Sequence, residues 1–337
     1  FLIISEIYLF LFRTHVKLGN RHKLSVGTEY IVDVLKSQTD NIAKEDAYTL
    51  ALFAQDEIKL LRNLQALIGV RYIYHENFKN HATPNVALMY KPGKFNFRAS
   101  YAAGFRTPTL SELYATDIAK KNDRLTIGNL DLKPEKNNYF SLSAEYVHER
   151  FSVSVNAFYN NIRDMIDYNT IATGDKAMEQ YGHKEVRQRD NIAEAKVHGI
   201  NVSANAYLDA GFNLSGGYTH LNTQDVELEQ PIDKSIKNAY NINAQWAHSW
   251  KIYRLNINLN GRINSKRFSK SYGYAPEYQL WDLNTRHSFN LKSVIIEPGF
   301  GMENLFDYMD DRPYNSNYAT LTPGRSFYIS LSLKFKS

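Results

Sequence analysis

Polar and apolar residues alternate one for one along most of this chain. In residues 254–263, RLNINLNGRI, Leu255, Ile257, Leu259 and Ile263 fall on one side. Arg254, Asn256, Asn258, Asn260 and Arg262 fall on the other. Only an extended strand sends successive side chains to opposite faces. The same period sets Phe327, Ile329, Leu331, Leu333 and Phe335 against Tyr328, Ser330, Ser332 and Lys334. It recurs at 95–101, 151–157 and 240–246. About fifteen such segments can be placed, centred near Phe12, Val26, Leu52, Val70, Ala87, Ala99, Leu142, Val155, Val202, Leu214, Ile242, Ile257, Leu283, Phe300 and Leu331. Each is expected to run roughly 9–11 residues. No sustained helical period is visible.

Connection lengths alternate. Short connections are expected near Gly19–His22, Arg62–Asn63, Lys91–Lys94, Glu149–Arg150, Asp209–Gly211, Ser249–Tyr253 and Asn290–Ser293. Long ones are expected near Leu35–Ala47, His75–Pro84, Gly104–Asn138, Asn160–Lys196, Leu221–Asn238, Asn264–Tyr278 and Phe306–Gly324. Short turns at one end and long loops at the other mark a transmembrane up-and-down barrel; a soluble sandwich has no reason to segregate them.

Composition agrees. The 337 residues include 24 tyrosines, 18 phenylalanines and only 9 prolines, as suits surfaces apolar at one end and wet at the other. No stretch approaches the roughly 20 apolar residues of a membrane helix. Cysteine is absent, which excludes disulfides and thiolate chemistry. A net charge of +5, from 40 basic and 35 acidic residues, gives no nucleic-acid footprint.

The polar stripes suit a wet lumen and the apolar stripes suit lipid. Slipping strand 254–263 by one residue would turn Arg254 and Arg262 to lipid, at about 2–4 kcal/mol each near the midplane. Arg98 and Glu145 fit the lumen; His198 and His287 fall on the lipid side, where an interface would suit them. The opening stretch FLIISEIYLFLF is expected to end a strand that begins upstream. An odd strand count leaves an unpaired edge in lipid, so the chain is expected to be the C-terminal portion of a larger barrel.

Five segments resemble the TonB-dependent outer-membrane receptor family. They are ASYAAGFRTPTLSELY (Ala99–Tyr114), GNLDLKPEKNNY (Gly128–Tyr139), Gly199 after Asn191 and Val197, GMENLFD (Gly301–Asp307) and PGRSFYISLSLKF (Pro323–Phe335). The resemblance implies an all-β fold: 14–15 antiparallel strands of a 22-stranded transmembrane barrel. Residues 1–337 would be its C-terminal part, with the plug domain and early strands outside this sequence. It further implies a bacterial outer-membrane location, lipid and lipopolysaccharide neighbours, and TonB acting through the plug. The activity would be energy-coupled uptake of a small molecule or metal complex, without a cofactor and without covalent chemistry. A ferric siderophore-type complex is the expected ligand. Haem or cobalamin, or a passive porin, are the alternatives.

Phe105, Arg106 and Pro108, with Glu112, Asn129, Leu132, Pro134 and Glu135, are expected to shape the barrel rim, since proline ends ladder pairing there. Asn304, Leu305 and Phe306, and Gly324 with Arg325 in a turn, are expected to do the same before the last strand. Ligand contacts are expected on the long loops. Tyr168, Tyr181, His183, Lys184, Arg187 and Arg189 lie on one; Lys266, Arg267, Lys270, Tyr272 and Tyr274 lie on another. Tyrosine beside lysine or arginine suits an anionic, aromatic-bearing ligand. His75, His81 and His183 could ligate iron in haem, but Thr109–Gly128, where haem receptors of the family carry a histidine, has none. No G-x-S-x-G, phosphate loop, H-E-x-x-H or EF-hand motif is present.

Overall fold

The computed structural model describes residues 3–37, 42–119, 123–270, 272–310, 320 and 322–336. The first six strands are β1 (Ile3–Leu18), β2 (His22–Ser37), β3 (Ile42–Leu61), β4 (Leu64–His75), β5 (Lys79–Tyr90) and β6 (Phe95–Arg106). A folded excursion follows, with α1 (Leu110–Tyr114), β7 (Asp117–Ala119) and β8 (Arg124–Ile127). Then come β9 (Glu135–Val147), β10 (Phe151–Thr173), α2 (Gly174–Tyr181), β11 (Glu185–Leu208), β12 (Phe212–Asp225), β13 (Asn238–Trp250) and β14 (Tyr253–Asn264). The short ribbon β15 (Arg267–Ser269) and β16 (Gly273–Ala275) precedes β17 (Tyr278–Asn290), β18 (Val294–Glu303) and β19 (Ser326–Phe335).

Fifteen of these strands form one antiparallel meander, each pairing with the next long strand in sequence. β1 and β19 are its edges and do not pair with each other among the described residues. All fifteen expected centres fall inside these strands. The expected length of 9–11 residues does not hold: β10 has 23 residues and β11 has 24. Their hairpin extends far past the rest of the wall, so most of the connection expected at Asn160–Lys196 is strand. α2 occupies its tip and closes on Gly182 in a left-handed conformation at φ 72°. The long connection expected at His75–Pro84 is a three-residue turn, Glu76–Phe78. Short α1 and α2 also depart from the helix-free expectation. The connection Phe306–Gly324 lies largely outside the described residues.

The register places the alternation as the sequence requires. On the polar face, the Asn243 side-chain amide donates to Asn258 Oδ1 at 2.7 Å and Asn260 Oδ1 at 2.6 Å. Ser154 meets Ser203, and Ser100 meets Ser141, both at 2.7 Å. The Tyr328 hydroxyl donates to Asn284 at 2.6 Å, and Asn96 donates to Glu145 at 2.8 Å. The opposite face is apolar and uncovered: Ile329 is 83% and Leu331 66% exposed. An apolar face of this extent is untenable in water and needs an apolar surrounding.

Two aromatic belts edge that apolar face. At the short-turn end, Phe95, Tyr146 and Phe151 are in ring contact, as are Trp250, Tyr253 and Phe289. At the other end, Tyr30, Tyr48 and Tyr74 follow one another at 6.0 Å, and Tyr101–Phe140 and Tyr218–Tyr240 pair at 4.9 and 4.8 Å. Along β14, Tyr253 belongs to the first belt, and Gly261 faces Trp281 at the second. That span is about 26 Å along the strand. His198 and His287, expected on this face, sit at the belts. His287 is 2.7 Å from the Tyr253 hydroxyl, and His198 is 3.2 Å from the Asn222 amide.

Candidate functional site at the long-connection end

β6 ends in Arg106, and Pro108, buried, starts the excursion. Thr109 caps α1: its hydroxyl accepts from the Glu112 N–H at 3.2 Å, while the Glu112 carboxylate accepts from the Thr109 N–H at 2.9 Å. The same carboxylate accepts from Arg106 Nη1 at 2.9 Å. Arg106 also grips Glu135 at the start of β9 with two parallel bonds, of 2.8 and 2.7 Å. Glu135 in turn accepts from the Ile166 N–H of β10 at 2.8 Å. One guanidinium therefore fastens α1, β6, β9 and β10 together.

Apolar anchors sit under this knot. Leu110 packs with Leu35 and Ala47; Leu113 and Leu132 pack with Ile166 and Phe78. Asn129 donates to the Arg189 carbonyl and accepts from the Asp131 N–H, both at 2.9 Å. Asn191 accepts from the Lys133 N–H at 2.7 Å and donates to the Lys133 carbonyl at 2.9 Å, holding Pro134 at the strand entrance. Gly128 lies so close to α1 that a Cβ there would meet the Leu113 carbonyl oxygen at 2.5 Å. Gly199 has the same constraint against the His220 carbonyl, at 2.1 Å.

A second knot precedes β19. Asn304 is buried at φ 51°, a conformation asparagine tolerates better than most residues. Its amide donates to the carbonyls of Tyr308 (2.7 Å) and Pro323 (3.0 Å), and its Oδ1 accepts from the Tyr308 N–H at 2.8 Å. The Leu305 N–H donates to the Trp281 carbonyl, and the exposed Phe306 ring meets Trp281 edge-on. Asp307 accepts from the Arg325 N–H at 2.6 Å beside Gly324.

The loop residues separate into engaged and presented groups. Tyr181 packs on the Ala172, Ala177 and Val186 cluster. Arg187 is paired with Glu185 at 2.6 Å, and His183 with Asp123 at 2.8 Å. His75 is buried, and His81 stacks on Phe105 at 3.7 Å. Arg189 lies over Tyr168, its cross-strand partner, with the guanidinium carbon 3.9 Å from the ring centroid. Tyr168, Lys266, Tyr272 and Tyr274 are exposed, and Arg267 lies in β15. Lys270 stands between the hairpins, 3.4 Å from Asp167 and 3.2 Å from the buried Asp225. It ties the connection carrying Tyr272 to the hairpin carrying Tyr168. Asp233 accepts from the Lys270 N–H at 2.9 Å; it, Asp167 and Asp225 were not legible in the sequence, because each meets Lys270 from far away in the chain. Among the described residues, no group of three side chains is placed to hold a metal ion.

Two carboxylates outside the strands titrate abnormally. Burial pushes Glu112 up, but the bonds from Arg106 and Thr109 outweigh it and hold the group below its ordinary value. The His183 hydrogen bond holds Asp123 below the usual range.

Residues 6–305 match the family described as TonB dependent receptor-like, beta-barrel. The chain belongs to that family. The ferric enterobactin receptor PfeA of Pseudomonas aeruginosa superposes with a TM-score of 0.80 at 19% identity, covering 99% of this chain and 54% of that one. The siderophore receptor PirA of the same organism gives 0.77 at 19%, covering 99% and 57%. The copper transporter OprC gives 0.74 at 11%, covering 99% and 56%. The chain thus spans little more than half the length of these receptors.

Proposed function

We propose that this chain supplies part of the wall, the lumen lining and the long external connections of an outer-membrane receptor that takes up a scarce ligand under TonB drive. The family match over residues 6–305 is the observation that carries this reading. The two aromatic belts and the polar lumen face support the membrane setting. Coupling to TonB would run through a plug domain, as is typical of the family.

A ferric siderophore-type complex is the ligand class that the presented loop residues suit. Arg189 stacked on Tyr168 makes a flat cationic and aromatic surface, matched to an anionic ligand bearing aromatic rings. Lys266, Tyr272 and Tyr274 present the same chemistry on the neighbouring connection. Haem is less well suited, since His75, His81 and His183 are each already engaged by protein groups.

The test is binding and uptake by the receptor containing this chain, in cells starved of iron. Ferric catecholate, haem, cobalamin and copper would be offered separately. Ferric catecholate uptake that stops on removal of the proton gradient, and weakens by about tenfold in Arg189→Ala, is expected. Uptake unaffected by collapse of the gradient would favour a passive porin.

A further inference from the structure

The polar face holds a cationic cavity at the short-turn end, away from the long connections. It spans β1 to β6 and has a volume of about 650 Å³. Its floor is apolar. Leu67 and Ala87 are direct cross-strand partners there, and Met89 lies two residues further along β5. The register continues from Ala87 to Ser100 and from Ser100 to Ser141, which puts this floor on the polar face.

Cations ring the floor. Lys17 and Lys23 are direct cross-strand partners, an arrangement that destabilises a sheet. Lys59 lies opposite Gln65, and Arg98 lies opposite Met89, to whose sulfur it donates at 3.3 Å. Arg21 joins them from the β1–β2 turn. One carboxylate lines the cavity, Glu57, and it is 3.4 Å from Lys23. Lys17, Arg21, Lys59 and Arg98 are exposed and make no ion pair among the described residues. Elsewhere on the same face Arg71 is matched by Glu29, and Lys334 by Glu297. The cavity is thus a place of unmet positive charge over an apolar floor.

We propose that this cavity is an exit site for the transported ligand. It binds an anionic, aromatic-bearing complex that has passed the long connections and has yet to leave at the short-turn end. The excess of cations raises the local concentration of such an anion, and Leu67, Ala87 and Met89 receive its rings. The volume is that of a small-molecule site. The chemistry repeats that of Arg189 and Tyr168 at the other end of the wall. The proposal rests on the reading above that the polar face lines the lumen of an uptake receptor.

The test uses cells making the receptor that contains this chain. A photo-crosslinking amino acid would stand at position 65, which lies between Lys59 and Met89 in register. The probe is ferric catecholate with a radiolabelled organic part. Light given during uptake is expected to fix label to the receptor, and collapse of the proton gradient should prevent it. Lys59→Gln with Arg98→Gln should lower capture by about tenfold and slow uptake, with binding at the cell surface unchanged. Lys59→Arg with Arg98→Lys should keep most of both. Ala87→Trp, which fills the floor and leaves the cations in place, should also lower capture. Heat-modifiable mobility of each variant verifies that the barrel has assembled. Ordinary uptake without capture at position 65, or capture unchanged in the double variant, would overturn the proposal and leave the uptake reading standing. Slowed uptake with undiminished capture would overturn it too, and would assign the cations to holding an acidic segment of the receptor itself. If ferric catecholate binds outside but never enters, the uptake reading fails, and this site falls with it.

Discussion

The two ends of this sheet are built differently. At the short-turn end, turns such as Arg62–Asn63 and Lys251–Ile252 join neighbouring strands, and the aromatic belt comes from residues close in sequence or directly opposite in register. At the other end, order comes from contacts that skip along the chain. Arg106 meets Glu135, Asn129 meets Arg189, and Lys270 meets Asp167 across 103 positions. The wall is held by a repeating local rule, whereas the long connections are held by a few polar knots. Damage to the wall should therefore be decided by which face a residue occupies, and damage to the long-connection end by whether it breaks a knot.

The largest predicted effect sharpens the first half of that contrast. Leu259 faces Ala244 and Leu283 on the apolar side, and Asn258 lies between Asn243 and Asn284 on the polar side. Leu259→Arg should cost about 2–4 kcal/mol and block assembly, while Asn258→Arg should assemble normally. Heat-modifiable mobility of the membrane-extracted protein reads both.

Next comes Asn304→Ala. It strands the Tyr308 N–H and two carbonyls and places alanine at positive φ, for about 2–4 kcal/mol in total. Asn304→Gly keeps the backbone relaxed and should cost roughly half as much. Urea midpoints in micelles at constant slope would measure the pair. Equal losses would assign the effect to the hydrogen bonds alone.

Arg106→Lys is expected to be milder, about 1 kcal/mol, because a lysine cannot make the paired bonds to Glu135 and the site is partly solvated. The knot also carries a pH signature. Glu112 has a depressed pKa in the folded protein, so its contribution is present above the unfolded carboxylate range. It is lost as pH falls through the folded value, which lies below the ordinary glutamate range. Amide exchange at Leu113 should accelerate there, and Glu112→Gln should abolish that pH step. The smallest effect is Asp123→Asn. It should release His183 and loosen the tip of the β10–β11 hairpin without moving the urea midpoint.

Much of the wall was legible because alternation is a local property. Leu255 to Ile263 state their faces without reference to any other segment, and so do the turns between strands. The motif residues Arg106, Glu112, Asn129, Glu135 and Asn304 stood out by family resemblance, but their joint geometry did not. Nothing near Arg106 says that its partner is Glu135 rather than Asp117 or Asp131. The length of the β10–β11 hairpin escaped because its outer half, from Asn160 to Lys196, loses the strict alternation that marks a strand, and its buried residues Ile166, Ala172 and Val186 are covered only once α1 and α2 pack on it. Lys270 stood out as a loop cation, but its ion pairs did not, because both carboxylates reach it from other hairpins.

One face of this sheet is expected to meet lipid and the other a wet lumen. The chain has no cysteine, so single cysteines can be placed at each position from Leu255 to Ile263 and carry a nitroxide label in reconstituted protein. The prediction is a strict period of two. Labels at 255, 257, 259 and 261 should collide with dissolved oxygen, and those at 256, 258, 260 and 262 with a water-soluble nickel chelate. Access to the chelate at every position, or a period near 3.6, would contradict it.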